Sequence, residues 1–361
     1  MKIGLVGLNQ TGKTTLFSLL TGKDDAASFS GGKGAANIGT CIVPDERIDF
    51  LSDLCKPKKT TYAKIELTDI AGFATSDESR KSGASKFLND VRPCDALVHV
   101  VRAFESDSVI HDLGGIDPVR DLEAVETEML FADLEMIEKR IGRINAGKKI
   151  TKENETEIAL LERIYDRLDK GGSIVDMEMS EPERIFTRSF SFLTDKPRLA
   201  VVNVDEAGWE SKAWSDSGAL HTLCKKLNIP LLVLCVDMEL EISRLPKEDK
   251  ELFMADMGIT QPGIATLAKS VYALLGLISF MTIGDDEVRA WTIEDGIIAK
   301  KAAGKIHTDI ERGFIRAEVI KYENLHELGS VAKVKESGLF RLEGKEYVVV
   351  DGDIINFRFN V

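Results

Sequence analysis

Gly7-Leu8-Asn9-Gln10-Thr11-Gly12-Lys13-Thr14 has the spacing G-x-x-x-x-G-K-[ST] and stands between an apolar run, Lys2 to Val6, and a helix-forming stretch, Thr15 to Leu20. A strand that feeds a helix through such a loop makes a phosphate cradle. Its backbone N–H groups and the helix N-terminus can surround a β-phosphate, while Lys13 reaches β and γ oxygens and the Thr14 hydroxyl ligates Mg²⁺. Asn9, Gln10, Thr11, Gly12, Lys13, Thr14 and Thr15 are therefore the expected phosphate-contacting run, with Lys13 also the cation expected to assist catalysis. The competing reading is a glycine turn entering an ordinary helix, which the strand and helix flanks disfavour.

Two further stretches extend the site. Thr68-Asp69-Ile70-Ala71-Gly72 follows a strand and has the form D-x-x-G, in which the aspartate holds Mg²⁺, commonly through water, and the glycine N–H reaches the γ-phosphate. D-x-x-G also describes ordinary turns, so its weight comes from its order and distance after the first loop. Asn203-Val204-Asp205-Glu206 ends another apolar strand, where guanine-specific proteins carry N-K-x-D. The aspartate of that motif accepts from guanine's ring N–H and amino group. Glu206 in its place removes guanine's advantage and makes ATP the expected nucleotide, with GTP as the alternative. Asn203 can offer its amide to adenine N6 and N7. Mg²⁺ is thus expected on Thr14 and Asp69, phosphate on Gly72 as well as the first loop, and the base near Asn203 and Glu206.

At 361 residues the chain is long for one core, and two or three domains are expected. Hydrophobic residues at 43% and charged ones at 30% are values of a soluble globular protein. The longest apolar candidate, Val271 to Met281, is too short to span a membrane, and the first strand begins too early for a secretory signal. Cys41, Cys55, Cys94, Cys224 and Cys235 form no C-x-x-C pair and read as reduced thiols. Together these features predict a cytoplasmic protein with no membrane partner. A net charge of −13 argues against non-specific coating of nucleic acid, so an RNA partner would need a local basic face and no DNA partner is expected.

Ile3 to Val6, Lys64 to Thr68, Leu97 to Val101, Leu199 to Asn203 and Pro230 to Cys235 are apolar runs separated by helical patterns, which predicts a doubly wound, mostly parallel sheet. The interval from Arg102 to Leu199 breaks that rhythm. Leu122, Val125, Met129, Ala132 and Met136 form one helical stripe, Leu130, Leu134, Ile137, Ile141 and Ile144 another, and Ile158, Leu161, Ile164 and Leu168 a second helix beyond the turn Asn145 to Lys149. This predicts an inserted helical hairpin. After Ser279 strands dominate, and Glu346 to Val350 and Ile354 to Phe359 flank Asp351-Gly352-Asp353 like the arms of a hairpin in a small α+β domain.

The motifs G-x-x-x-x-G-K-T, D-I-A-G and N-V-D-E, in that order, resemble the YchF/Obg-like ATPase family of P-loop proteins. Glu287 to Ile293, Ala302 to Asp309, Gly313 to Glu318, Gly344 to Tyr347 and Asn356 to Val361 resemble that family's TGS domain, a β-grasp module. The resemblance covers nearly the whole chain. It implies an α/β fold with a Ras-like doubly wound sheet at 1–118 and 191–277, a helical arm at 119–190, and a TGS domain at 278–361. It further implies slow ATP hydrolysis and association with the ribosome or RNA through the arm and the TGS domain. Phe73 occupies the place of a water-orienting glutamine, as in the family, and His111 matches a histidine suggested for that task; a surface loop residue is the plainer reading of His111.

Three loops depart from the family pattern. Asn9-Gln10-Thr11 replaces Pro-Asn-Val, which removes an asparagine associated with potassium. Gly31-Gly32-Lys33-Gly34 stands where an aromatic-x-Thr switch is expected, and Ala74 to Ser82 replaces a glycine-rich second switch. A divergent paralogue is expected, whose altered switches leave two other readings open: a non-hydrolysing ATP-dependent binding module, or a GTP-specific GTPase.

Overall fold

The structure is a computed structural model and describes residues 1–22, 37–73, 86–106, 111, 113–147 and 149–360. From the N-terminus come β1 (Lys2–Val6), α1 (Lys13–Thr21), β2 (Asn37–Val43), α2 (Glu46–Cys55), β3 (Lys59–Thr61) and β4 (Ala63–Asp69). Helical residues 86–91 form α3. They are followed by β5 (Ala96–Ala103), α4 (Pro118–Asn145), α5 (Lys152–Asp169), α6 (Glu181–Phe190), β6 (Arg198–Val204) and β7 (Leu231–Leu234). The chain divides into two compact units. Met1–Gly39 and Glu66–Thr260 make the first, and Thr40–Ile65 with Gln261–Val361 the second.

The first unit is built on a sheet of order β2-β4-β1-β5-β6-β7. Its pairings from β4 through β7 are parallel, with Ile3 opposite Leu67 on one side and Ala96 on the other. Such strands are covered on both faces and read as unbroken apolar runs; every residue of β5 is buried. Because the strands run in one direction, the loops after β1, β4, β5 and β6 emerge at one edge, where ligands of open α/β sheets bind. The doubly wound sheet expected from the apolar runs is the sheet observed.

The interval between β5 and β6 forms the expected helical arm. Asp117 caps α4, accepting from the Arg120 N–H at 2.9 Å, and Pro118 supplies a fixed φ at its start. Leu122, Val125 and Met129, in the first half of α4, are buried in two apolar clusters with residues of the sheet. In its second half Leu134 and Ile137 pack with Leu160, Leu161, Ile164 and Leu168 of α5. Each fully buried leucine or isoleucine there contributes about 1.5–3 kcal/mol. Buried Asp133 ties the arm back to the sheet by accepting the Leu193 and Thr194 N–H groups at 3.1 and 2.8 Å. The third helix of the arm, α6, lies beyond the two that the apolar stripes predict.

The second unit holds β8 (Leu277–Thr282), β9 (Glu287–Glu294), β10 (Phe314–Lys321), β11 (Arg341–Glu343) and β12 (Asp353–Phe359) in the order β11-β10-β12-β8-β9-β3. β8 and β9 are antiparallel, while β12 runs antiparallel to β10 and parallel to β8. Phe280, Ile293, Val319 and Phe357 pack with Ala299, Ala302 and Ala303 of the helix Ala299–Ile306. This is the α+β β-grasp arrangement expected from the C-terminal sequence. β3 adds a strand that pairs in parallel with β9, with Lys59 opposite Glu287. Arg47 of α2 donates to Asp45 and Asp351, and the Asp351 carboxylate also accepts the Ser279 N–H at 2.9 Å.

The hairpin read from Glu346 to Val350 and Ile354 to Phe359 is corrected by the structure. Only the second run is a strand; in the first, Val348 makes a single bridge to Ile298. The cause is local. The Asp353 carboxylate accepts from the Val350 N–H at 2.9 Å and the Tyr347 hydroxyl at 2.8 Å, which takes a backbone donor that a strand ladder would use. All five cysteines are free thiols, and burial pushes the Cys41 thiol up to about 12 and the Cys94 thiol up to about 11. Among the described residues no helix is long and apolar enough to cross a membrane.

Candidate functional site

The loop between β1 and α1 opens on the edge where the strands end. Gly12 is the N-cap of α1 with φ 94°, and a Cβ there would lie 2.5 Å from Asn203 Nδ2, so glycine is required on both counts. No side chain caps α1 and no acidic residue stands in its first turn. Its first N–H groups are thus left to an anion, favoured by the helix dipole. Lys13 is 6% exposed, and its ammonium donates to the carbonyls of Gly7, at 3.2 Å, and of Leu8. Its charge is therefore held within the curve of the loop. Thr11 is buried, Gln10 is exposed in the left-handed region, and Asn9 and Thr15 are half-buried.

Thr14 and Asp69 meet beside the loop. The Thr14 hydroxyl donates to Asp69 Oδ2 at 3.0 Å, and the Asn37 amide reaches the same oxygen at 3.5 Å. Burial raises the Asp69 carboxyl above its ordinary range, opposed by the Thr14 hydrogen bond, the Lys13 charge and Asn37. One hydroxyl and one carboxylate are a sparse set for most metals. They suit Mg²⁺, which keeps several waters and takes its remaining oxygens from substrate phosphates. Among the described residues no group of three or more His, Cys, Asp or Glu is placed to hold a metal by itself.

Gly72 carries the D-x-x-G stretch up to the loop. A Cβ on it would stand 2.2 Å from Asn9 Oδ1 and 2.8 Å from Asn9 Cα. The next residue closes the contact, since the Phe73 N–H donates to the Gly7 carbonyl at 3.1 Å and Leu8 bridges Phe73 in parallel. The Phe73 ring itself is 3% exposed and packs against Phe87, with centroids 5.7 Å apart. It is a core side chain, turned away from water.

Asn203 sits at the end of β6 with both ends of its amide engaged. Nδ2 donates to the Thr11 carbonyl at 3.1 Å, and Oδ1 accepts the Val236 N–H at 3.1 Å. It braces the loop against the start of the helix Val236–Arg244, and contact with a base edge would break those bonds. Val204 is 2% exposed within the core, so a lysine there, as in N-K-x-D, would have to bury its ammonium. Asp205 caps the helix Glu206–Ser211, accepting the Gly208 N–H at 2.7 Å, whereas Glu206 is exposed. Asn37 and Val236 are the site residues that motif reading missed. Neither belongs to a spaced motif, and both act through one hydrogen bond to a motif residue.

His111 follows β5 and is anchored elsewhere. Its Nδ1 accepts the Leu113 N–H at 3.2 Å and its Nε2 lies 2.7 Å from Asp121 Oδ2 in α4. An Nδ1 that accepts leaves the ring proton on Nε2, which then donates to Asp121. Both nitrogens are occupied, and the ring is 7% exposed. The Gly31 to Gly34 segment and the run Ala74 to Ser82 lie outside the described residues.

Comparison with known proteins bears on this geometry. Residues 2–131 match a family model described as 50S ribosome-binding GTPase, and residues 277–360 match the model YchF-GTPase_C, described as a protein of unknown function (DUF933). The protein named Ribosome-binding ATPase YchF from Bacillus subtilis (strain 168) is 39% identical over 361 residues, covering 99% of each chain. Its namesake from Haemophilus influenzae is 39% identical over 362 residues, covering 100% of this chain and 99% of the other. The solved structure titled Structure of the Schizosaccharomyces pombe YchF GTPase superposes with a TM-score of 0.86 at 28% identity, covering 99% of this chain and 97% of the other.

Proposed function

The chain belongs to the YchF family, and from that premise we propose that it is a P-loop nucleoside triphosphatase that binds ATP with Mg²⁺ and uses its nucleotide state to govern association with the ribosome. The observation that carries this reading is the Thr14–Asp69 pair beside an uncapped α1, which suits a metal next to a phosphate. In this reading Asn9 to Thr15 and Gly72 surround the phosphates, Lys13 neutralises β and γ oxygens, and Thr14 and Asp69 hold Mg²⁺, which supplies charge neutralisation during phosphoryl transfer. Glu206, exposed at the start of its helix, would read the base, while Asn203 braces the loop. The relatives' names divide between ATPase and GTPase; the absence of the N-K-x-D aspartate is what favours ATP here.

Hydrolysis is expected to be slow, because the buried Phe73 ring orients no water and His111 is tied to Asp121. His111 is retained as the candidate for positioning water only in a conformation that frees its Nε2. The same two observations favour the second reading, in which ATP acts chiefly as a conformational ligand. Nucleotide binding is assigned to residues 1–118 and 191–277 apart from Thr40–Ile65 and the stretch from Gln261, which pack in the second unit; 119–190 is assigned to the arm and 278–361 to a TGS module. The arm and that module would meet ribosomal RNA in the cytoplasm.

Titration with ATP and GTP in Mg²⁺, for the parent and Glu206→Asp, tests the base assignment. The parent should prefer ATP, and the variant should move toward GTP as the shorter carboxylate regains guanine's two donors. A parent that prefers GTP contradicts the ATP reading, and an unchanged ratio in the variant removes Glu206 from the base site.

A further inference from the structure

The arm carries a charge feature that nucleotide binding does not use. Residues 139–152 read Lys-Arg-Ile-Gly-Arg-Ile-Asn-Ala-Gly-Lys-Lys-Ile-Thr-Lys, with six cations (Lys139, Arg140, Arg143, Lys148, Lys149 and Lys152) and no acid, inside a chain of net charge −13. Among the described ones, Lys139, Arg140 and Arg143 lie in the last turns of α4, Lys149 follows in the connection, and Lys152 begins α5. A helix of 28 residues, as α4 is, extends about 42 Å, and α5 runs back along its second half, with Leu134 and Ile137 packed on Leu160, Leu161, Ile164 and Leu168 and with Phe186 and Phe190 of α6 beside them. The turn therefore forms a tip.

Two of the cations serve the hairpin. Lys139 pairs with Glu135 one turn earlier on α4, and Arg140 Nη2 reaches Glu157 of α5 at 3.0 Å. Arg143, Lys149 and Lys152 are exposed, and among the described residues none has a carboxylate within ion-pair distance. Helix electrostatics explains Arg143, which lies in the last turn of α4, where a cation is favoured. It does not explain Lys152, the first residue of α5, where the dipole disfavours one. The flank of the arm has the opposite sign. Glu138, Glu162 and Asp166 line the groove between α4 and α5, together with Tyr165, which donates to Glu138 at 2.9 Å.

We infer that the tip of the helical arm, through Arg143, Lys149 and Lys152, docks on the phosphate backbone of structured RNA. The inference rests on the ribosome reading above and names the surface that would serve it. A polyanion approaching a protein of net charge −13 is repelled except where cations project, and a Debye length of about 8 Å at physiological salt lets three clustered cations set the local field. The acidic groove then fixes the approach: RNA meets the tip end-on and stays off the flank.

The test uses a 20-base-pair RNA duplex as probe, with anisotropy titrations over a range of salt on the full chain. The variant R143Q/K149Q/K152Q should bind about tenfold or more weakly, and the slope of log affinity against log salt should shrink by about 2 to 3. The flank variant E162Q/D166Q should bind as tightly as the parent or more so. Unchanged thermal unfolding and ATP affinity show that the tip variant is folded; should it unfold, the exposed pair K149Q/K152Q should still lower the slope by about 2. A parent that ignores the duplex, a tip variant that matches the parent, or displacement of the duplex by polyglutamate of equal charge concentration each overturns the RNA assignment. Sedimentation with ribosomes separates the two claims: a tip variant that pellets like a pelleting parent overturns the tip and leaves the ribosome reading standing. A parent that does not pellet in any nucleotide state, yet binds duplex through the tip, supports the tip and overturns the ribosome reading.

Discussion

Thr14 donates its hydroxyl proton to Asp69 Oδ2 at 3.0 Å across 55 residues of chain, joining the phosphate loop to the end of β4. This contact makes two separate sequence motifs one site. A divalent cation placed between these groups would take the hydroxyl oxygen directly and draw the carboxylate toward itself or its waters.

Asp69→Asn should therefore uncouple ATP binding from Mg²⁺. In the parent, ATP affinity is expected to be higher in Mg²⁺ than in EDTA. In the variant the Mg²⁺ affinity of the complex should fall by about 10- to 100-fold, the effect of losing a group that orients a metal's ligands. Calorimetric titration with and without the ion checks this; an undiminished Mg²⁺ effect in the variant would remove Asp69 from the metal site.

Asn203→Ala deletes a donor to the Thr11 carbonyl and an acceptor for the Val236 N–H. Each buried group left unpaired costs about 1–3 kcal/mol. Thermal unfolding should shift down by several degrees and ATP affinity should fall with it, since the loop loses its brace. Retained stability with a selective loss of adenine preference would instead make Asn203 a base reader.

His111→Ala separates two roles. Loss of slow single-turnover hydrolysis by about tenfold or more, within the range for a positioned acid or base, with ATP affinity retained, would mark His111 as the group that positions water. A lower unfolding temperature with hydrolysis unchanged would leave it as an anchor to Asp121. The present geometry, with both ring nitrogens engaged, favours lower stability as the first effect.

The nucleotide loop was legible because its chemistry is local: the spacing from Gly7 to Thr14 and the flanking apolar runs specify strand, loop and helix together. The arm was legible through the 3.6-residue period of its leucines and isoleucines. The strand expected at Glu346 to Val350 was not, because the Asp353 side chain competes for the Val350 N–H, and composition does not show which donor wins. Nor was the parallel pairing of Thr61 with Arg289, which depends on chain segments far apart in sequence. Asn203 was found by its motif, but its bracing of the loop was not. Its engagement depends on Thr11 and Val236, which are near it only in the folded chain.

The central claim is that Gly7 to Thr14 bind the triphosphate of ATP, and Lys13→Ala tests it most directly. Removing one partner of a buried, hydrogen-bonded charge pair costs about 2–5 kcal/mol, so calorimetric titration of the variant with ATP and Mg²⁺ should show affinity weakened by about 30-fold or more. Thermal unfolding of the ligand-free protein serves as the control for folding. A folded variant that binds ATP as tightly as the parent would contradict the claim.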